Sequence, residues 1–110
     1  MNYNNSDIDW GKVNEVISLA NKIFLTTHEN PDGDGLGSEV ALFHHLDELG
    51  KDIKIINYSQ TPEMLDFLNV NNCIETFEES NHLEWIKNAD LAIVFDVGDF
   101  RRTRDIKNLI

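Results

Sequence analysis

The sequence predicts an α/β fold, a parallel β-sheet with helices on both faces, and three observations predict it. Ile23-Phe24-Leu25 and Leu91-Ala92-Ile93-Val94-Phe95 are apolar runs without polar alternation, as strands covered on both faces require. Between them lie segments with helical spacing, the clearest being Leu36, Val40, Phe43, Leu46 and Leu49. Both apolar runs lead into acid-rich loops, HENPDGDG and DVGD, at the strand ends where ligands bind in such sheets.

Taken in order, Trp10, Val13, Val16, Ile17 and Ala20 predict a helix from about Asp9 to Asn21, with Ser6, Asp7 and Asp9 as candidate N-caps. Ile23 to Leu25, with Thr26 and Thr27, form the first strand. The striped helix runs from about Gly35 to Leu49, and Gly50 supplies the left-handed residue that often ends a helix. Ile53, Ile55 and Ile56 give a second strand, and Pro62 opens a short helix through Met64, Leu65, Phe67 and Leu68. A weak strand is expected near Ile74 to Phe77 and a helix through Leu83, Trp85, Ile86 and Ala89. Leu91 to Phe95 is the most continuous apolar run and predicts a central strand ending at Asp96. A polar helix from about Arg101 carries Ile106, Leu109 and Ile110. There is no internal repeat or linker.

A chain of 110 residues suits one domain, and 41% apolar with 26% charged residues is a globular composition. Twenty acidic against nine basic residues give a net charge of −11, which argues against long nucleic acid as a partner. A site where divalent cations supply positive charge locally is the exception. Cys73 stands alone, so no internal disulfide forms. The amino end, MNYNNSDIDW, has no signal-like pattern and no apolar run is long enough to cross a bilayer, so the expectation is a cytoplasmic protein without membrane contact.

The loop after the first strand holds His28, Asp32 and Asp34 among Pro31, Gly33, Gly35 and Gly37. One imidazole with carboxylates suits Mn²⁺ or Mg²⁺, and no cysteine cluster suggests structural zinc. The same residues also make an acid-rich turn in which Asp34 caps the next helix without any metal. Asp96 favours the metal, because a carboxylate at the end of a buried strand needs a cation or hydrogen bonds to offset its desolvation.

HENPDGDGLGS resembles the first motif, and IVFDVGDFRR the second, of the DHH family of phosphoesterases, with closest similarity to its oligoribonuclease and phosphoadenosine-phosphate phosphatase branch. LDELGKDIKIIN and TPEMLDFLN follow the same layout, so the resemblance covers about Val16 to Arg102. It implies an enzyme with two metal ions, usually manganese, that hydrolyses phosphoester bonds. His28 and Asp32 would bind one ion, Asp34 the other, and Asp96 would bridge both, making Asp34 and Asp96 the catalytic pair. Two cations about 3.5–4 Å apart can activate a shared water and stabilise phosphoryl oxygens. Arg102 matches a common arginine of the family and is the candidate substrate contact; Asp99 matches an acidic position. Arg101, Arg102 and Arg104 also fit the solvated start of a helix.

The Asp-His-His triplet that names the family, its acidic fourth motif and its carboxyl-terminal substrate-binding domain are expected beyond the second motif. Residues 1–110 are therefore read as the amino-terminal part of a DHH-type domain, inactive alone, since four ligands do not fill two metal sites. His44 and His45 lie off the apolar stripe of their helix and are expected to be solvated. The implied substrate is a short oligoribonucleotide or a 3′-phosphorylated adenosine nucleotide. Alternatives are a cyclic dinucleotide, pyrophosphate, or a non-catalytic cation-binding domain. A sheet edge left open would favour self-association, and a homodimer is compatible with the sequence.

Overall fold

The computed structural model describes residues 8–110; Ser6 and Asp7, two of the three candidate caps, lie outside the described residues. Helix α1 spans Trp10–Leu19 and is capped by Asp9, whose carboxylate accepts the Lys12 amide at 2.9 Å. Strand β1 (Lys22–Thr27) leads into helix α2 (Gly33–Glu48), which ends at Gly50 with φ 81°. Strand β2 (Asp52–Asn57) follows, then 3-10 segments at Glu63–Leu68 and Val70–Asn72 and the short strand β3 (Ile74–Thr76). Helix α3 (Glu79–Lys87), strand β4 (Leu91–Phe95) and a 3-10 segment at Phe100–Leu109 complete the chain.

The four strands form a parallel sheet in the order β3-β2-β1-β4. Alternation along β1 divides the core between the two faces. Ile23 and Leu25 pack with Leu36, Val40 and Leu46 of α2 and Ile55 of β2, while Phe24 packs on the other face with Ile56, Ile86 of α3 and Ile106. The α/β fold is thus the one the apolar runs require, with β1 buried along nearly its whole length.

Three expectations change. Leu91–Phe95 is an edge strand, paired to β1 alone among the described residues, and all five of its residues are half-buried. Apolar continuity reports burial on two faces and says nothing of which strand lies alongside. The last segment is a 3-10 helix broken at Arg104 (φ 57°), and the segment after Pro62 is also 3-10. The helix α1 stripe is only partly covered: Ile17 packs on the core and Ala20 is buried, whereas Trp10, Val13 and Val16 are exposed. His45 is exposed as expected, and His44 is half-buried with its ring edge against Phe43.

Gly35 is required by a close approach. A Cβ there would lie 2.7 Å from Thr27 Oγ1, so the first turn of α2 packs on β1 only because position 35 has no side chain. Gly35→Ala is expected to cost roughly 1–3 kcal/mol through overpacking, read as a lower urea midpoint with an unchanged slope.

Candidate metal centre

His28 and Asp96 leave the sheet side by side, because Thr27 pairs with Phe95 in the β1–β4 register and each candidate ligand is the next residue. Asp32 reaches the same point from the N-cap of α2. One donor atom from each of His28, Asp32 and Asp96 lies within 4.8 Å of the other two. His28 Nε2 is 3.4 Å from an Asp96 oxygen and 3.7 Å from an Asp32 oxygen.

The His28 ring is 5% exposed, and its Nδ1 lies 2.6 Å from the Glu29 carbonyl oxygen. At that distance Nδ1 carries the proton and donates it, which leaves Nε2 with its lone pair facing two carboxylates. Three lone-pair donors converging on one point require a proton or a cation between them. A nitrogen held by a backbone carbonyl on its far side is the usual arrangement of a metal-ligating histidine. The donor set of one imidazole and two carboxylates therefore fits a divalent cation such as Mn²⁺ or Mg²⁺.

Asp32 reconciles the two readings of its loop. One carboxylate oxygen accepts the Gly35 amide at 3.0 Å, capping α2, and the other faces His28. The cap is Asp32, where the turn reading placed Asp34. The Gly35 amide holds the Asp32 carboxyl below its ordinary range, which keeps it ionised for a cation. Asp34 sits in the first turn of α2, exposed, and is not one of the three converging residues.

Asp96 stands at φ 55°, in the left-handed region that a non-glycine residue occupies at a cost. Among the described residues its side chain is 45% exposed, more open to solvent than the desolvation argument from the sequence assumed. What singles Asp96 out is the backbone turn that aims it at His28.

Arg102 is exposed, with its guanidinium 3.4 Å from His28 Nδ1, and its carbonyl accepts the Glu29 amide at 2.7 Å. It therefore stands at the rim without entering the donor set. Neither Arg101 nor Arg104 is a free helix-start charge. Arg101 pairs with Asp99, whose carboxyl it holds down at about 2, and Arg104 grips both carboxylate oxygens of Glu29, lowering that carboxyl too. The Glu29 and Arg104 pair ties the final segment to the His28 loop.

Glu39 is the residue sequence reasoning passed over. It is fully buried on α2, accepts the Asn57 side-chain amide at 2.9 Å, and has a second oxygen with no partner among the described residues. Burial pushes its carboxyl up to about 8. The signal was present: Glu39 falls at i+3 from Leu36, inside the apolar stripe, where an acid breaks the pattern.

A histidine and two aspartates gathered at the carboxyl ends of a parallel sheet make this an α/β domain with a candidate cation site at the strand ends. The DHH family, N-terminal domain, matches residues 22–109, and the chain belongs to that family. An exopolyphosphatase-related protein from Bacteroides fragilis has the same fold, with a TM-score of 0.83 and 24% identity over 90% of this chain. This chain spans 30% of that protein. No curated protein matches the sequence significantly. No helix among the described residues is long and apolar enough to cross a membrane.

Proposed function

We propose that the chain carries the first metal-binding half of a phosphoesterase that acts on short oligoribonucleotides or 3′-phosphorylated adenosine nucleotides. The observation that carries this is His28 Nε2, fixed by the Glu29 carbonyl and turned toward Asp32 and Asp96. Family membership supports the reaction class, and the glycine at position 33 with Gly37-Ser38 supports the branch by resemblance. His28, Asp32 and Asp96 would hold one Mn²⁺ ion, with Asp34 toward a second. A bound cation would supply charge to activate water and to offset the phosphoryl oxygens.

The chain's own residues do the rest. Glu29 holds the His28 tautomer, the α2 amides keep Asp32 ionised, and the Asp96 turn aims its carboxylate. Arg102, exposed beside His28, offers a guanidinium to a substrate phosphate.

A turnover panel of a dinucleotide RNA, phosphoadenosine phosphate, cyclic di-AMP and pyrophosphate, run with Mn²⁺ on the longest product of this reading frame, tests the proposal. The dinucleotide or the adenosine nucleotide should turn over fastest. Preference for pyrophosphate would move the substrate toward the phosphoanhydrides that an exopolyphosphatase-related neighbour suggests. Absence of metal-dependent hydrolysis with all four, with Mn²⁺ still bound, would establish the second reading, a non-catalytic cation-binding domain. That reading is favoured by one observation: the donors converge on a single point, without Asp34.

A further inference from the structure

Glu39 is the only buried aspartate or glutamate among the described residues. Its hydrogen bond to Asn57 begins a path across the sheet. Asn57 Nδ2 donates to Glu39, which turns Asn57 Oδ1 toward β1, where it accepts the Thr27 amide at 3.2 Å and the Thr26 hydroxyl at 3.4 Å. The Thr27 hydroxyl in turn donates to the Phe95 carbonyl at 2.8 Å. Helix α2 and strands β2, β1 and β4 are joined in one line, and its last two stations, Thr27 and Phe95, immediately precede His28 and Asp96.

The line replaces missing sheet bonds. Backbone register between β1 and β2 runs only to Leu25 opposite Ile55, so the Thr27 amide lies beyond it and is received by a side chain. An asparagine amide can face either way. The Thr27 amide, which can only donate, takes the acceptor end, and Glu39 Oε1 receives the donor end on the α2 side. With an apolar side chain at 39, only the Thr27 amide and the Thr26 hydroxyl would hold Asn57 in that orientation, and the Asn57 donor would be left buried and unpaired.

We propose that Glu39 is a positioning residue for the cation site: acting through Asn57, it sets the Thr27 backbone and with it the placement of His28 and Asp96. The proposal rests on reading His28, Asp32 and Asp96 as that site. It assigns Glu39 no contact with metal or substrate. An outer partner of this kind orients ligands that others present, which is why glutamine should serve equally well.

The test is Mn²⁺ binding to the 110-residue chain, followed by the electron paramagnetic resonance of the free ion, beside amide ¹H–¹⁵N spectra recorded without metal. Glu39→Gln should keep the affinity and the Thr27, His28 and Asp96 amide signals of the parent chain. Glu39→Met, of similar length but without an acceptor, should shift those signals and weaken Mn²⁺ roughly ten- to a hundredfold. A folded Glu39→Met chain with unmoved signals overturns the proposal. Should Glu39→Met not fold, Glu39→Gln decides: retained affinity and signals uphold the acceptor role, and their loss overturns it. A parent chain that takes up no Mn²⁺ refutes the cation site itself, and the amide signals then judge Glu39 alone.

Discussion

Asp96→Ala is expected to weaken divalent-cation binding by more than the roughly ten- to hundredfold that loss of a residue which only orients a ligand costs. Asp96 supplies one of three converging donors, and its carboxylate is the nearer of the two to His28 Nε2, at 3.4 Å against 3.7 Å for Asp32. Removing it leaves two donors, too few to hold a labile ion against water. The backbone sharpens the test. Asp96 sits at φ 55°, where alanine bears a left-handed penalty of about 1–2 kcal/mol that glycine escapes. Asp96→Gly and Asp96→Ala should therefore lose the cation alike, while the glycine variant unfolds at higher urea than the alanine variant. Mn²⁺ titration and metal-free urea denaturation read the two effects separately. Binding that survives either substitution would remove Asp96 from the site; equal stability of the two would show that the turn is unstrained.

How much of this was legible in the sequence depended on how local the cause was. The β1 run, the α2 stripe from Leu36 to Leu46 and the Gly50 stop each follow from neighbouring residues and stand where the sequence placed them, whereas Leu49, the stripe's expected last member, is exposed. His28 and Asp32 share a loop, so their meeting is nearly local. Asp96 joins them because β4 pairs with β1, which parallel α/β reasoning anticipated in outline. Strand order was not legible, since continuity in Leu91–Phe95 looks the same at the centre and at an edge. Asp34 and Asp32 are both good caps by composition, and only the α2 amide at Gly35 chooses between them. The Glu29 carbonyl that sets the His28 tautomer is backbone, and no side-chain pattern announces it. Glu39 was legible as a broken stripe, but its partner Asn57 lies on another strand.

The pH dependence of folding should change most at Glu39. Desolvation raises its carboxyl from 4.5 to about 8, against the smaller, opposing effect of the Asn57 hydrogen bond. Between those two values the folded chain keeps a proton that the unfolded chain releases. Its contribution to stability is thus fully present below about pH 4.5 and is lost as pH rises through about 8, at up to about 1.4 kcal/mol per unit. Asp32, Asp90 and Asp99 act in the opposite sense: their carboxyls are depressed by backbone amides or Arg101, and their contribution is lost as the solution is acidified. The parent chain should accordingly be most stable in mildly acidic solution, limited on the acid side by these aspartates and on the alkaline side by Glu39. Glu39→Gln removes the alkaline limb, because a neutral amide keeps the acceptor for Asn57 without a proton to lose. Near pH 8 the variant should be more stable than the parent chain by several kcal/mol, because the slope of about 1.4 kcal/mol per unit acts across most of the window between the two values. Toward pH 4.5 the advantage should vanish. Urea midpoints of both proteins across that range measure it, and parallel curves would mean that Glu39 is ionised in the folded state like any surface acid, despite its burial.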